Sequence, residues 1–185
     1  MDSYDRLDVS GMDINIFLQT VAHHAAISKY LQSFDEQTAR FFAPHPSDLP
    51  SIQLFYEDPL NRGWCGVDEV SGSLVGYAIL RLDITIHDRA RIEGYGFVPD
   101  SRIDASFAPS VAAGSRGTGL ADEIWSRVLQ DAINQGRRRI FLWGGVKADN
   151  LRAIRFYERL GFIRLGTFLH EGENLDMVYL VDARN

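Results

Sequence analysis

The sequence predicts a mixed α/β (α+β) fold, and three observations carry that expectation. Residues 74–82 place Val75, Tyr77 and Ile79 at the two-residue period of a strand. Leu120, Ile124, Val128, Leu129, Ala132 and Ile133 recur at helical spacing. Between strand-like residues ending at Val111 and that helix lies a short glycine-rich turn, Arg116-Gly117-Thr118-Gly119-Leu120-Ala121. With 185 residues and 45% hydrophobic content, the chain has the size of one ordinary domain with a sizeable core.

Along the chain, residues 14–21 alternate weakly and are expected as a first strand. A helical stretch over about 23–34 follows, with Ile27, Tyr30, Leu31 and Phe34 on one face, and residues 35–42 start another helix. Pro44 and Pro46 break the chain around His45, and Ser47, Asp48 and Pro50 supply a helix start before Ile52, Leu54, Phe55 and Tyr56. Residues 63–69 and 74–82 read as a hairpin around Gly72. Residues 84–103 form a long connection whose readings stay open: a lid, an additional strand pair or an acceptor-binding loop. Residues 105–112 are expected as a central strand despite Pro109, which lacks a ladder donor and belongs at a bulge or edge. After the helix from Leu120, Gly136 offers a stop, residues 140–146 a strand, and Asn150 a cap for a helix carrying Ile154, Tyr157 and Leu160 to Gly161. Residues 162–169 and 175–181 close the chain as a hairpin.

Composition excludes several function classes. A formal charge of −6 and a pI near 5.3 argue against nucleic acid as a partner, which needs clustered Lys and Arg. The basic run Arg137-Arg138-Arg139 is read as a solvated helix end where cations suit the dipole. The single Cys65 rules out an internal disulfide framework, suits a reducing cytoplasm, and is read as a buried free thiol rather than a nucleophile. His23 and His24 are adjacent, so their side chains diverge on a helix and lack metal-ligand spacing; no metal is expected. No apolar stretch approaches the roughly 20 residues that span a bilayer, and the N-terminus is too acidic for a signal peptide. A cytoplasmic protein without a membrane partner is therefore expected, with residues 1–12 as a disordered N-terminus and residues 13–185 as a single domain. The oligomeric state is not legible, and a homodimer stays open.

The turn at 116–121 carries the functional signal. A Gly-rich turn feeding a helix leaves backbone N–H groups at the positive end of the helix dipole, where a pyrophosphate fits. Gly117 and Gly119 permit unusual φ/ψ and close approach of a ligand. A nucleoside-triphosphate loop requires Lys and then Ser or Thr after its last glycine, where Leu120 and Ala121 stand. The dinucleotide fingerprint requires Gly or Ala at the position of Asp122, whose carboxylate suits a pyrophosphate badly.

The pattern that is met, Arg/Gln-x-x-Gly-x-Gly/Ala at Arg116, Gly119 and Ala121, resembles the acyl-CoA loop of the Gcn5-related N-acetyltransferase superfamily. Residues 150–162 resemble the superfamily's second motif, Asn-x-x-Ala-x-x-Phe-Tyr-x-x-x-Gly-Phe, at Asn150, Ala153, Phe156, Tyr157, Gly161 and Phe162. The likeness spans roughly residues 74–181. It implies a mixed, mostly antiparallel sheet of about seven strands with helices on both faces, and a central strand that splays from the strand at 140–146 to admit the pantetheine arm.

The same resemblance implies transfer of an acetyl group from acetyl-CoA to a primary amine by direct attack. An alkylammonium is neutral only about once per thousand molecules at pH 7, a deficit of roughly 4 kcal/mol that a base or a desolvated pocket must offset. Tyr157 stands at the family's general-acid position, to protonate the departing thiolate. Asp104 is the candidate base at the start of the central strand, with Ser106, Glu93, His87 and His45 as less central candidates. Val111 is expected to place its backbone against the pantetheine or thioester, Arg116, Gly117, Thr118, Gly119, Leu120 and Ala121 to hold the pyrophosphate, and Asn150 to touch the cofactor. The acceptor is expected to be a small-molecule amine. A protein N-terminal or lysine acetyltransferase and a noncatalytic acyl-CoA-binding module are the alternatives.

Overall fold

A computed structural model of the chain describes residues 7–9 and 12–181. Most of the expected N-terminal segment lies outside the described residues, although Leu7–Val9 within it is a strand. The chain forms two compact units: one runs to Leu80 and includes Ala108–Asp131, the other comprises Arg81–Phe107 and the chain from Ala132 onward.

In the first unit the strand order is β1 (Leu7–Val9), β2 (Met12–Leu18), β3 (Asn61–Asp68), β4 (Ser73–Arg81) and the second half of β5 (Asp104–Val111). β1 and β2 pair antiparallel, as do β2 and β3, with Ile14 opposite Asp68 and Leu18 opposite Trp64. Side chains alternate across this sheet, so each face takes its own helices.

One face carries α5 (Leu120–Asn134). An added Cβ at Gly76 would stand 2.5 Å from Ile124 Cδ1, and one at Gly66 3.2 Å from Leu120 Cδ1. The two glycines thus leave a bare patch into which Leu120 and Ile124 sink, both fully buried. Further along α5, Asp131 accepts two hydrogen bonds from Arg62, at 2.7 and 2.9 Å, and one from Trp64 Nε1 at 3.0 Å. Arg62, Trp64 and Gly66 share this face because they are two residues apart on β3.

The opposite face carries α1 (His24–Gln32) and α3 (Leu49–Phe55), with α2 (Glu36–Phe41) between them in sequence. Tyr77 points this way, fully buried, and meets Tyr56 and His45. The predicted cap at Asp48 forms, its side chain accepting from Ser51 N–H at 3.0 Å, and Asp35 caps α2 by accepting from Thr38 N–H at 2.7 Å.

The second unit contains the first half of β5, then β6 (Arg139–Leu142), β9 (Glu173–Leu180) and β7 (Val146–Lys147), while β8 (Ile163–Leu169) also pairs with β9. β5 and β6 run parallel from Asp104 opposite Arg139 to Phe107 opposite Leu142; the pairs of β6, β7 and β8 with β9 are antiparallel. Phe141 and Val178 lie opposite each other and form a buried cluster with Ile84 and Ile92. On α6 (Leu151–Leu160), Tyr157 packs against Phe162, which in turn meets Tyr179 and Phe107. Asn150 caps α6 through Ala153 N–H, and Gly161, at φ +96°, ends it as the spacing predicts.

Two readings of the sequence are corrected. Residues 84–103 contain a helix, α4 (Ile86–Gly94), capped by Thr85 and attached through Ile92, where a lid, strand pair or loop was expected. The expected strand at 140–146 is divided: β6 stops at Leu142, Gly144 and Gly145 turn the chain at φ +66° and +69°, and β7 begins at Val146. That division and β1 bring the strands among the described residues to nine.

Gly76→Ala is expected to lower stability by about 1–3 kcal/mol, because Ile124 must leave its rotamer or the helix must lift. Gly94→Ala, where a Cβ meets nothing within 4 Å, should stay within about 0.5 kcal/mol of the parent. Urea denaturation of both variants measures the difference.

Candidate active site

The glycine-rich turn follows β5 through a short 3₁₀ turn, Ala113–Ser115, and ends on the first residue of α5. Gly117 and Gly119 adopt φ of +78° and +96°, in the left-handed region that other residues enter only with strain. At Gly117 a Cβ would meet no atom within 4 Å, so glycine is required there for its backbone and the outer side of the turn is open. Thr118 Oγ1 donates to Ser115 O at 2.7 Å and closes the turn internally. Asp122 and Glu123 N–H both reach back to Gly119 O, at 3.0 and 3.2 Å, so α5 begins directly at the turn. Leu120 belongs to motif and core at once. Its amide lies in the first helical turn, while its side chain is fully buried against Gly66 and Gly76. The exposed Arg116 places Nη2 3.2 Å from Thr38 Oγ1 and adds positive charge beside the turn.

The end of β5 that leads to the turn is half-buried from Ala108 to Val111. Its ladder with β6 stops at Phe107, whose carbonyl accepts from Trp143 N–H at 2.9 Å, and residues 108–111 run on beyond the last paired residue of β6. Pro109 sits inside this strand, past the β6 pairing. Ala112 N–H donates to Val75 O at 2.8 Å and Ser110 Oγ to Tyr77 O at 3.1 Å, which holds this stretch on β4. Tyr30 OH reaches Ser110 Oγ at 3.3 Å; burial pushes the Tyr30 pKa up to about 12.

On the same side as Tyr30 lies a polar chain that sequence reasoning did not assemble. His45 Nε2 is 2.9 Å from Tyr77 OH, and Tyr77 OH is hydrogen-bonded to Tyr56 OH. His24 stacks on Tyr56 with ring centroids 5.2 Å apart, and its Nε2 pairs with Gln19 Oε1 at 2.9 Å. Burial raises the pKa of both tyrosines and lowers those of both histidines. Cys65 is fully buried nearby in β3, and burial pushes its thiol up to about 12, so it stays protonated and inert. The aromatic residues at 41–42 and 55–56 flanking His45 were the available signal.

The second unit holds the other candidates. Tyr157 is buried on α6, and desolvation raises its pKa well above that of a free tyrosine, so the phenol keeps its proton throughout the physiological range. The Asn150 side chain is already committed to the α6 cap through Oδ1.

Asp104 must be reassigned. It is fully buried and gives both oxygens to Arg139, at 2.6 and 2.9 Å, while Oδ2 also accepts Asp100 N–H at 2.7 Å. A carboxylate held by a bidentate guanidinium and a backbone donor anchors the start of β5. Ser106 is likewise engaged, donating to Asp83 O at 3.0 Å, and His87 and Glu93 are exposed on α4. Among the described residues no group of three or more His, Cys, Asp or Glu could hold a metal ion.

A model of the acetyltransferase (GNAT) family matches residues 29–162. No curated protein matches the chain. Among solved structures, the GNAT domain of S. lividans PAT shares 15% identity at a TM-score of 0.73, covering 96% of this chain and 97% of its own. The ribosomal-protein-S5-alanine acetyltransferase from Vibrio fischeri shares 13% at a TM-score of 0.72, with 100% of both chains covered. Aminoglycoside acetyltransferase AAC(6')-Ib, in complex with coenzyme A and kanamycin, shares 22% at a TM-score of 0.67, covering 90% and 94%. At these identities the likeness shows the fold.

If Asp104 anchors β5, Asp104→Asn leaves Arg139 without its counter-charge and costs about 3–5 kcal/mol of stability. The unfolding midpoint in urea should fall accordingly. A base without structural duty would lower turnover and leave the midpoint in place.

Proposed function

Because the chain belongs to the acetyltransferase (GNAT) family, with its family match covering residues 29–162, we propose that it moves the acetyl group of acetyl-CoA to a primary amine of a small metabolite by direct transfer. The observation that carries this reading is the turn at 116–121: two glycines at positive φ, an open outer side, and a helix N-terminus fixed by the buried Leu120. Backbone amides at the start of α5 suit a pyrophosphate, and Arg116 adds charge. That AAC(6')-Ib was crystallised with coenzyme A supports the same ligand class here. In this reading Val111 offers its backbone to the thioester, and Asn150 serves by setting the start of α6.

Tyr157 is the acid. With ordinary pKa values, passing a proton from tyrosine to a thiolate costs roughly 2 kcal/mol. Burial raises the phenol's pKa, and it raises a thiolate's in the same surroundings, so the gap need not widen. The acceptor ammonium must lose a proton before attack. Since Asp104 is occupied by Arg139, that proton leaves through another group or through water. Transfer to a protein amine is the second reading, favoured by the full-length likeness to the S5-alanine acetyltransferase. A binding-only module is disfavoured by the presence of Tyr157.

The test is thiol release from acetyl-CoA across amino sugars, amino acids, polyamines and peptides. Release that depends on a small amine, reduced about 10²–10³-fold in Tyr157→Phe with acetyl-CoA binding intact, is the expected result. Peptide-only release selects the second reading, and binding without release for any acceptor selects the third. Gly119→Ala, forced toward φ +96°, should weaken acetyl-CoA binding about tenfold or more in calorimetry.

A further inference from the structure

The hydroxyl chain at His45 has a defined direction. Nδ1 lies 2.8 Å from Pro46 O, and a carbonyl only accepts, so Nδ1 carries a hydrogen. In the neutral ring Nε2 is then a lone pair, and Tyr77 OH, 2.9 Å away, must donate to it. With its one proton used, Tyr77 can only accept from Tyr56, so donation runs from Tyr56 to Tyr77 to His45. Tyr77 is fully buried, and the Tyr56 hydroxyl fills the space that a Cβ at Gly63 would need.

Protonation of His45 reverses this order. Both ring nitrogens become donors, Nε2–H turns into the Tyr77 oxygen, Tyr77 turns its proton toward Tyr56, and the Tyr56 proton is driven out of the chain. It would have to find a new acceptor near Gly63, where the neighbouring atom is the apolar Gln19 Cγ, while Gln19 Oε1 accepts from His24. A buried donor left without a partner loses its hydration with nothing in exchange, which disfavours the closed state. His45 sits between α2 and α3, in a segment held at two points: on β4 by this imidazole, and on α1 by Ser47 O, which accepts from Ser28 Oγ at 2.7 Å and Gln32 Nε2 at 3.3 Å.

We propose that His45, Tyr77 and Tyr56 form a protonation-controlled latch: the neutral imidazole holds residues 42–48 and the start of α3 on β4, and the imidazolium releases them. The latch does not depend on the acetyl-transfer reading above. The groups facing His45 are Tyr77 on β4 and Tyr56 and Phe55 on α3, with Cys65 and His24 against the tyrosines. None of these is a carboxylate or a guanidinium. Tyr56, Tyr77 and Cys65 are all shifted upward and do not titrate near neutrality. His24, whose pKa burial also lowers from 6.5, serves as the control. Burial lowers the His45 pKa from 6.5, so the closed state is fully favoured above pH 6.5 and loses that advantage as pH falls from there through the lowered value.

Amide hydrogen exchange of the full chain at pH 7.5 and 5.5, corrected for intrinsic rates, tests the latch. Protection of peptides spanning 42–56 should fall about fivefold or more at the lower pH, the scale set by one buried donor left unpaired, while α5 is unchanged. His45→Gln should abolish the pH response, and His24→Gln should keep it. Flat protection in the parent, or the same fall in His45→Gln, overturns the proposal. If His45→Gln does not fold, imidazole ¹⁵N spectra of the parent decide instead. An Nδ1–H tautomer that titrates with the midpoint of the exchange change supports the latch, and an Nε2–H tautomer or a different midpoint overturns it. Neither readout requires an acceptor amine, so failure of the transfer assay and failure of the latch are separate results.

Discussion

Helix α5 is seated where two glycines leave the sheet of the first unit bare, and the geometry of the glycine-rich turn at 116–121 depends on that seat. Leu120 and Ile124 occupy the patch over Gly66 and Gly76, each burial stabilising by about 1.5–3 kcal/mol. Since Leu120 is also the first residue of α5, the amides of the turn inherit the rigidity of the core. Glycine serves two purposes here. Gly66 and Gly76 are needed for the space a Cβ would fill, whereas Gly117 faces open space and is needed for its positive φ. Arg62 and Trp64 hold Asp131 near the far end of the helix, so α5 is fixed at both ends.

The second unit relies on buried charge. Arg139 neutralises Asp104 at the start of β5, and Arg91 bridges Asp88 and Asp176 while lying 3.6 Å from the centroid of the Phe168 ring. Asp88 also accepts Gly144 N–H at 3.1 Å, which ties α4 to the turn that ends β6. Removing one partner from such pairs costs more than the pair contributes, so they specify geometry more than they add stability. This explains why a carboxylate with the sequence position of a catalytic base has a structural role.

Much of the fold was legible because its signals are local. Helix caps at Asp48 and Asn150, the stop at Gly161 and the hairpins all follow from short-range chemistry, and each forms as read. Residues 84–103 were not legible for the complementary reason. In α4 only Asp88 and Ile92 are buried, too few apolar positions for a helical period, and the helix is held by a distant cluster and by Arg91. The break at Gly144–Gly145 was equally hidden, since a glycine pair in a strand-like run does not announce whether it widens the strand or ends it.

By itself the sequence determined the mixed α/β class, the family and the glycine turn before α5, because glycines of special φ, caps and periodicity act over a few residues. Only the tertiary structure decided which polar side chains are committed. Asp104 and Arg139 are 35 residues apart, and His45 and Tyr77 are 32 apart. Whether a carboxylate or an imidazole is free for chemistry depends on partners brought by the fold, and no local pattern encodes them.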